Sequence, residues 1–140
     1  LFEAAIHGHA GIVQALLQAG AHVEAATLGS RLAFLSGYIM DVEGVTPLIA
    51  AAEGGHFQVV RLLVDAGADV NRSDSSWFTP LMGAARSGHA GMVKFLLECG
   101  ANLDAVDASG RNAQTHAAEF KHLSEISPIL QRARNKNGPV

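Results

Sequence analysis

The chain has little of what staples or anchors a fold. Cys99 is its only cysteine, which excludes an internal disulfide and fits a reducing, intracellular setting in cytoplasm or nucleus. Aromatic residues make up 6 % of the 140 residues, with one Trp and one Tyr, so large rings cannot dominate the core. No apolar run reaches the roughly 18 residues that a membrane span needs, and no membrane partner is expected. Positive charge is scarce as well. Ten Lys and Arg against thirteen Asp and Glu give a net charge of −3, without the basic footprint of a nucleic-acid binder. The first residue is Leu1 and no signal segment follows it, so a longer parent polypeptide is expected. What remains is a 49 % hydrophobic content, drawn mostly from Ala, Leu and Val, which suits a thin core between closely packed helices.

Those residues recur at a fixed interval. Gly55-His56, Val60, Leu63, Val64 and Gly67-Ala68 reappear 33 positions later as Gly88-His89, Val93, Leu96, Leu97 and Gly100-Ala101. The pairs Thr46-Pro47 and Thr79-Pro80 share the same displacement, and Gly8-His9, Val13, Leu16, Leu17 and Gly20-Ala21 repeat the phrase near the start. There the interval is 47, which is 33 plus 14. A fixed period of this length marks a stacked repeat protein.

One repeat can be read physically. Thr46 is suited to cap a helix, with Pro47 at the first helical position where its missing N–H costs nothing. A short helix over Leu48–Glu53 stops at Gly54-Gly55, and a second over Gln58–Ala66 carries Val59, Val60, Leu62, Leu63 and Val64 at helical spacing before Gly67 closes it. Ala4-Ala5, Ala51-Ala52, Ala84-Ala85 and Ala117-Ala118 recur in register, so neighbouring helices can approach closely. A unit this short cannot bury its own apolar face, and stacking must supply the stability.

The phrase Thr-Pro-Leu-x-x-Ala-Ala at Thr46–Ala52 and Thr79–Ala85 resembles the opening of the ankyrin repeat, with Ile49 and Met82 in place of its usual His. The resemblance covers about nine-tenths of the chain and implies an all-α ankyrin-repeat solenoid of helix-turn-helix units with projecting β-hairpin fingers. Repeats are expected at about 1–26, 41–73, 74–106 and 107–132, with a finger insertion at 27–40 and a disordered tail at 133–140. The fourth repeat looks degraded. Asn112-Ala113 replaces Thr-Pro, Gln114 and His116 replace apolar residues, and Lys121 replaces a glycine. Pro128 falls inside the last helix, where proline costs about 3 kcal/mol, so that helix is expected to start near Ser127.

Function is sought where the copies differ. The insertion Thr27–Met40 brings Leu28, Leu32, Phe34, Leu35, Tyr38, Ile39 and Met40 with one charge, Arg31. It is open whether it meets a partner, folds back over the N-terminal end, or is a gene-model artefact. Trp77 stands where the neighbouring fingers have Gly44 and Gly110, at a turn that favours positive φ, and Trp is enriched among interface hot spots. Contact with a partner and packing on the adjacent finger are both open for it. The surface that the resemblance implies for binding selects Val42, Glu43 and Val45 on one finger, then Ser73, Ser75, Ser76 and Phe78, then Val106, Ala108, Ser109 and Arg111. From the helix ends it selects Ile6, His7, Glu53, Arg86, Ser87, Glu119 and Phe120.

Other motifs point away from chemistry. His9, His56 and His89 stand one per repeat rather than around a common centre, and the resemblance implies that they bond the loop backbone. Asp69–Ser73 lacks the glycine and glutamate of a calcium loop. Asn71 matches a position that oxygen-dependent hydroxylases modify in the family, and Cys99 reads as a packed thiol. No phosphate loop, zinc spacing, nucleophile elbow or dinucleotide fingerprint appears, so no catalysis, metal, cofactor or small-molecule substrate is expected. The expected role is a scaffold that binds a protein partner through its concave face and finger tips. The alternative is a regulatory or targeting module that packs on the catalytic domain of a larger enzyme or channel.

Overall fold

A computed structural model describes residues 1–27 and 43–138. Eight helices occur among the described residues: α1 (Phe2–Ile6), α2 (Ala10–Gln18), α3 (Pro47–Glu53), α4 (Phe57–Asp65), α5 (Pro80–Arg86), α6 (Ala90–Glu98), α7 (Ala113–Glu119) and α8 (Leu123–Asn137). They form four antiparallel pairs. α1, α3, α5 and α7 stack in that order as one layer, while α2 packs on α4 and α6 on α8 in the other.

Local chemistry sets the helix starts. The hydroxyls of Thr46 and Thr79 accept from the amides of Ile49 and Met82, with Pro47 and Pro80 following. In the fourth pair the Asn112 side chain caps in the same way, accepting from Thr115 N at 3.0 Å. Asn112-Ala113 therefore preserves the cap of the motif it replaces. At the other end of α4, Gly67 takes φ 91, the left-handed geometry of a helix stop.

Stacking buries the small and branched residues. Val13, Val60 and Val93 are fully buried, as are Leu63 and Leu96, and Ala5, Ala52, Ala85 and Ala117 sit between the inner helices without exposure. Each buried Leu or Val contributes about 1.5–3 kcal/mol relative to exposure. The recurrent histidine joins neighbouring repeats. The His56 ring lies 3.0 Å, through Nε2, from the carbonyl of Ile6, and a Cβ added to Gly8 would meet that ring at 2.4 Å. The loop that this His bonds thus belongs to the preceding repeat.

The helices form the expected all-α stack; among the described residues no strand forms, and the second and third fingers close through tight turns. One expectation is corrected here. The last helix begins at Leu123, not near Ser127, and it continues to Asn137 through the region expected to be a disordered tail. Pro128 and Ser124 are both exposed, so the carbonyl freed by the missing N–H faces water and the helix passes through the proline. The expected insertion at 27–40 lies, beyond Thr27, outside the described residues.

Candidate fingertip recognition surface

The fingertips share one construction. In the second finger the Asp74 amide donates to Phe78 O at 3.1 Å and Trp77 N donates to Asp74 O at 3.0 Å. The Asp74 carboxylate accepts from Ser76 N at 2.8 Å and Phe78 N at 3.0 Å. In the third finger Asp107 bonds Ser109 N at 2.8 Å and Arg111 N at 3.0 Å in the same register. Each is a turn followed by one left-handed residue, the position that normally takes glycine. Gly44 has φ 78 and Gly110 has φ 76 there, and Trp77 has φ 64.

Lateral bonds align the fingers. Ser75 N donates to Glu43 O at 2.9 Å while Glu43 N donates to Ser75 Oγ at 3.0 Å. One step further along, Ala108 N donates to Ser76 O at 2.9 Å. The finger bases are tied too. The Asn71 side chain accepts from Asn102 N at 2.7 Å and donates to Gly100 O at 3.1 Å. Asn71 is thereby a staple between the second and third repeats.

Behind the tips lies a polar and aromatic cluster. The Phe78 ring meets His116 edge-on at 5.2 Å between centroids, and the Arg86 guanidinium lies 4.6 Å from the Phe78 centroid and 5.8 Å from that of Phe120. Arg86 also pairs with Glu53. His116 is 1 % exposed and its Nε2 lies 2.9 Å from Asp107 Oδ2, while its Nδ1 is buried without a partner. Arg111 closes the cluster, its Nε 2.9 Å from Asp107 Oδ2 and its terminal nitrogen 3.3 Å from Glu119.

The electrostatics follow from burial and bonding together. Burial would raise the Asp107 carboxyl, but the bonds from the Arg111 backbone and side chain, Ser109 N and His116 outweigh it and hold it at about 2. Burial lowers His116, against the Asp107 bond, and the Arg111 charge pushes the same way as burial. The imidazole is then neutral at pH 7, with Nε2–H donating to Asp107. Asp74 is raised, first by burial and against its bonds from Phe78 and Ser76 amides. Burial and the neighbouring Arg111 lower Arg86.

The sequence-selected residues divide sharply. Trp77 is 66 % exposed, Glu43 and Ser75 are exposed, and Ser76 is half-buried beside them. Arg86 and Arg111 are half-buried and held in the ion pairs above. Val45 and Phe78 are corrected: at 7 % and 8 % exposure they belong to the core and offer a partner almost nothing. Both follow the left-handed turn residue, where the chain heads back inward toward the capping Thr. Ile6 is buried as well, whereas Val106 and Phe120 are exposed. Val42, Phe34 and Tyr38 lie outside the described residues. Sequence reasoning missed Asp74, Asp107 and His116. Its available signal was the 33-residue spacing of the two aspartates, each four residues before the residue that closes its finger.

Comparison with known families settles the architecture. A family model described as ankyrin repeats (3 copies) matches residues 1–107 and again 75–138. The chain belongs to the ankyrin repeat family. Ankyrin repeats form non-catalytic modules for protein–protein interaction, and the helical stack above is the ankyrin solenoid. Among the described residues no group of three His, Cys, Asp or Glu side chains could hold a metal ion, and no helix is long and apolar enough to cross a membrane.

Proposed function

We propose that this ankyrin domain binds a protein partner across its fingertips and inner-helix ends, with Trp77 as the central anchor and Glu43, Ser75 and Ser76 around it. The single observation behind this reading is the backbone of Trp77. Left-handed φ costs a residue with a side chain about 1–2 kcal/mol, and the flanking fingers avoid that cost with glycine. The indole recovers little of it by packing, since two-thirds of the residue faces solvent. Strain retained for an exposed aromatic is the mark of a contact residue. The lateral bonds from Glu43 to Ser75 and from Ser76 to Ala108 hold the tips in a fixed row, so little ordering entropy is lost on binding.

The test is site-specific photocrosslinking in a lysate of the source cells. A benzophenone amino acid at position 77 is expected to capture a discrete partner, and the same group at Arg61, exposed on the outer helix α4, is expected to capture none. Equal capture at both positions, or none at 77, would overturn the reading.

A further inference from the structure

The molecule already seats one cation on an aromatic ring. The Arg86 guanidinium lies 4.6 Å from the centroid of Phe78, and the carboxylate it pairs with, Glu53, comes from the repeat before. Ring and carboxylate are thus supplied by adjacent repeats, and the cation bridges them from within the chain. One position earlier on the same finger stands a second ring, Trp77, and the preceding finger carries a second carboxylate, Glu43. This outer pair repeats the inner one at the fingertips, turned to solvent: Trp77 is 66 % exposed and Glu43 is exposed.

The backbone holds the outer pair in one place. Ser75 N donates to Glu43 O at 2.9 Å and Glu43 N donates to Ser75 Oγ at 3.0 Å. A Cβ on Gly44 would lie 3.7 Å from the Cα of Asp74, so the two tips touch. The amides of Ser76 and Phe78, which flank Trp77, both donate to the Asp74 carboxylate, at 2.8 and 3.0 Å. The indole is thereby presented from a fixed turn on the finger next to an exposed carboxylate.

Charge decides what such a pair accepts. The face of an indole carries negative potential and attracts a cation more strongly than any other side-chain ring. Glu43 has no ion-pair partner among the described residues. Both groups would repel an anion of the partner. The arginines behind the tips give an anion no other seat, since Arg86 is held by Glu53 and Arg111 by Asp107 and Glu119. A purely apolar side chain laid on the indole would desolvate the Glu43 carboxylate without compensation. A guanidinium or ammonium group satisfies ring and carboxylate together.

We propose, resting on the reading of Trp77 as a contact residue, that what it receives is an arginine or lysine side chain of a basic protein segment, stacked on the indole and paired with Glu43.

The test selects peptides from a random library displayed on phage against the immobilised chain, and measures the selected peptides by fluorescence anisotropy. They are expected to share an Arg or Lys. Replacing that residue by its uncharged isostere, citrulline or norleucine, is expected to weaken binding by about five- to tenfold. Trp77→Gly in the chain should cost a similar factor, and Trp77→Tyr, which keeps a ring, should recover most of it. Glu43→Gln should weaken binding a few-fold and flatten its dependence on salt. Peptides that need Trp77 but share an apolar or acidic residue and no cation would overturn the proposal and leave Trp77 a contact residue. So would a basic residue whose replacement changes nothing. Peptides that bind Trp77→Gly as well as the wild type, or a library from which none is retained, would overturn both readings.

Discussion

Replacing His116 with alanine sets two arguments against each other. Position 116 is Ala50 and Gly83 in the preceding repeats, so the repeat pattern makes alanine the natural occupant and predicts little or no cost. The structure predicts a loss. The His116 bond to the Asp107 carboxylate is charge-assisted, and such bonds contribute about 1.5–3 kcal/mol. The edge-on contact with Phe78 adds about 0.5–1.5 kcal/mol. Removing the ring also removes the unpartnered Nδ1, a relief of about 1–3 kcal/mol. The balance is a net destabilisation of about 1–2 kcal/mol at pH 7.5, or a fall in Tm of roughly 3–8 °C. The pH dependence adds a second signature. Because His116 has a folded value below 6.5, the unfolded chain takes up the proton first as the pH falls. The contribution is fully present above 6.5 and is lost between 6.5 and the lowered folded value. Urea unfolding at pH 7.5 and 5.5 should thus show a steep loss in the wild type and a shallower one in His116→Ala. Some slope will persist, since burial also lowers His89. A variant at least as stable as wild type at pH 7.5, with an unchanged pH slope, would refute the reasoning.

The stack and its staples make further predictions. Leu63→Ala removes a fully buried side chain between the second and neighbouring repeats, and chemical denaturation should show a loss of about 2–5 kcal/mol. Asn71→Asp replaces the amide that donates to Gly100 O with a carboxylate that repels it, so stability at pH 7 should fall by about 1 kcal/mol. Part of that loss should return near pH 3.5, where the new carboxyl is protonated, when each chain is compared with wild type at the same pH.

How far the fold was legible depends on the range of the interaction concerned. The Thr46 and Thr79 caps, the prolines after them and the Gly67 stop are set by residues a few positions apart, and they could be read directly. The Asn112 cap could not be read from the motif, because a lost Thr-Pro looks like decay until the side chain is seen accepting from Thr115 N. Pro128 misled for a related reason. Its cost depends on whether the Ser124 carbonyl, freed by the missing N–H of Pro128, meets water, which is a property of the packed helix and not of the spacing. The candidate surface divides in the same way. Trp77 was visible as a broken glycine register, a local rule. Phe78 was misplaced because its burial depends on His116 and Arg86, which come from two later helices. His116 itself passed for a degraded apolar position, although it is the buried partner of Asp107.

The central claim is that Trp77 is kept at a strained fingertip for contact and not for packing. The most direct measurement is the unfolding free energy of Trp77→Gly, taken by urea denaturation beside the wild type. Glycine relieves about 1–2 kcal/mol of left-handed strain and gives back about 0.5–1 kcal/mol through its freer unfolded chain. The variant should therefore be more stable than the wild type by about 0.5–1 kcal/mol. A variant less stable than the wild type would show that the indole earns its place within the fold, and the reading of Trp77 as a contact anchor would be contradicted.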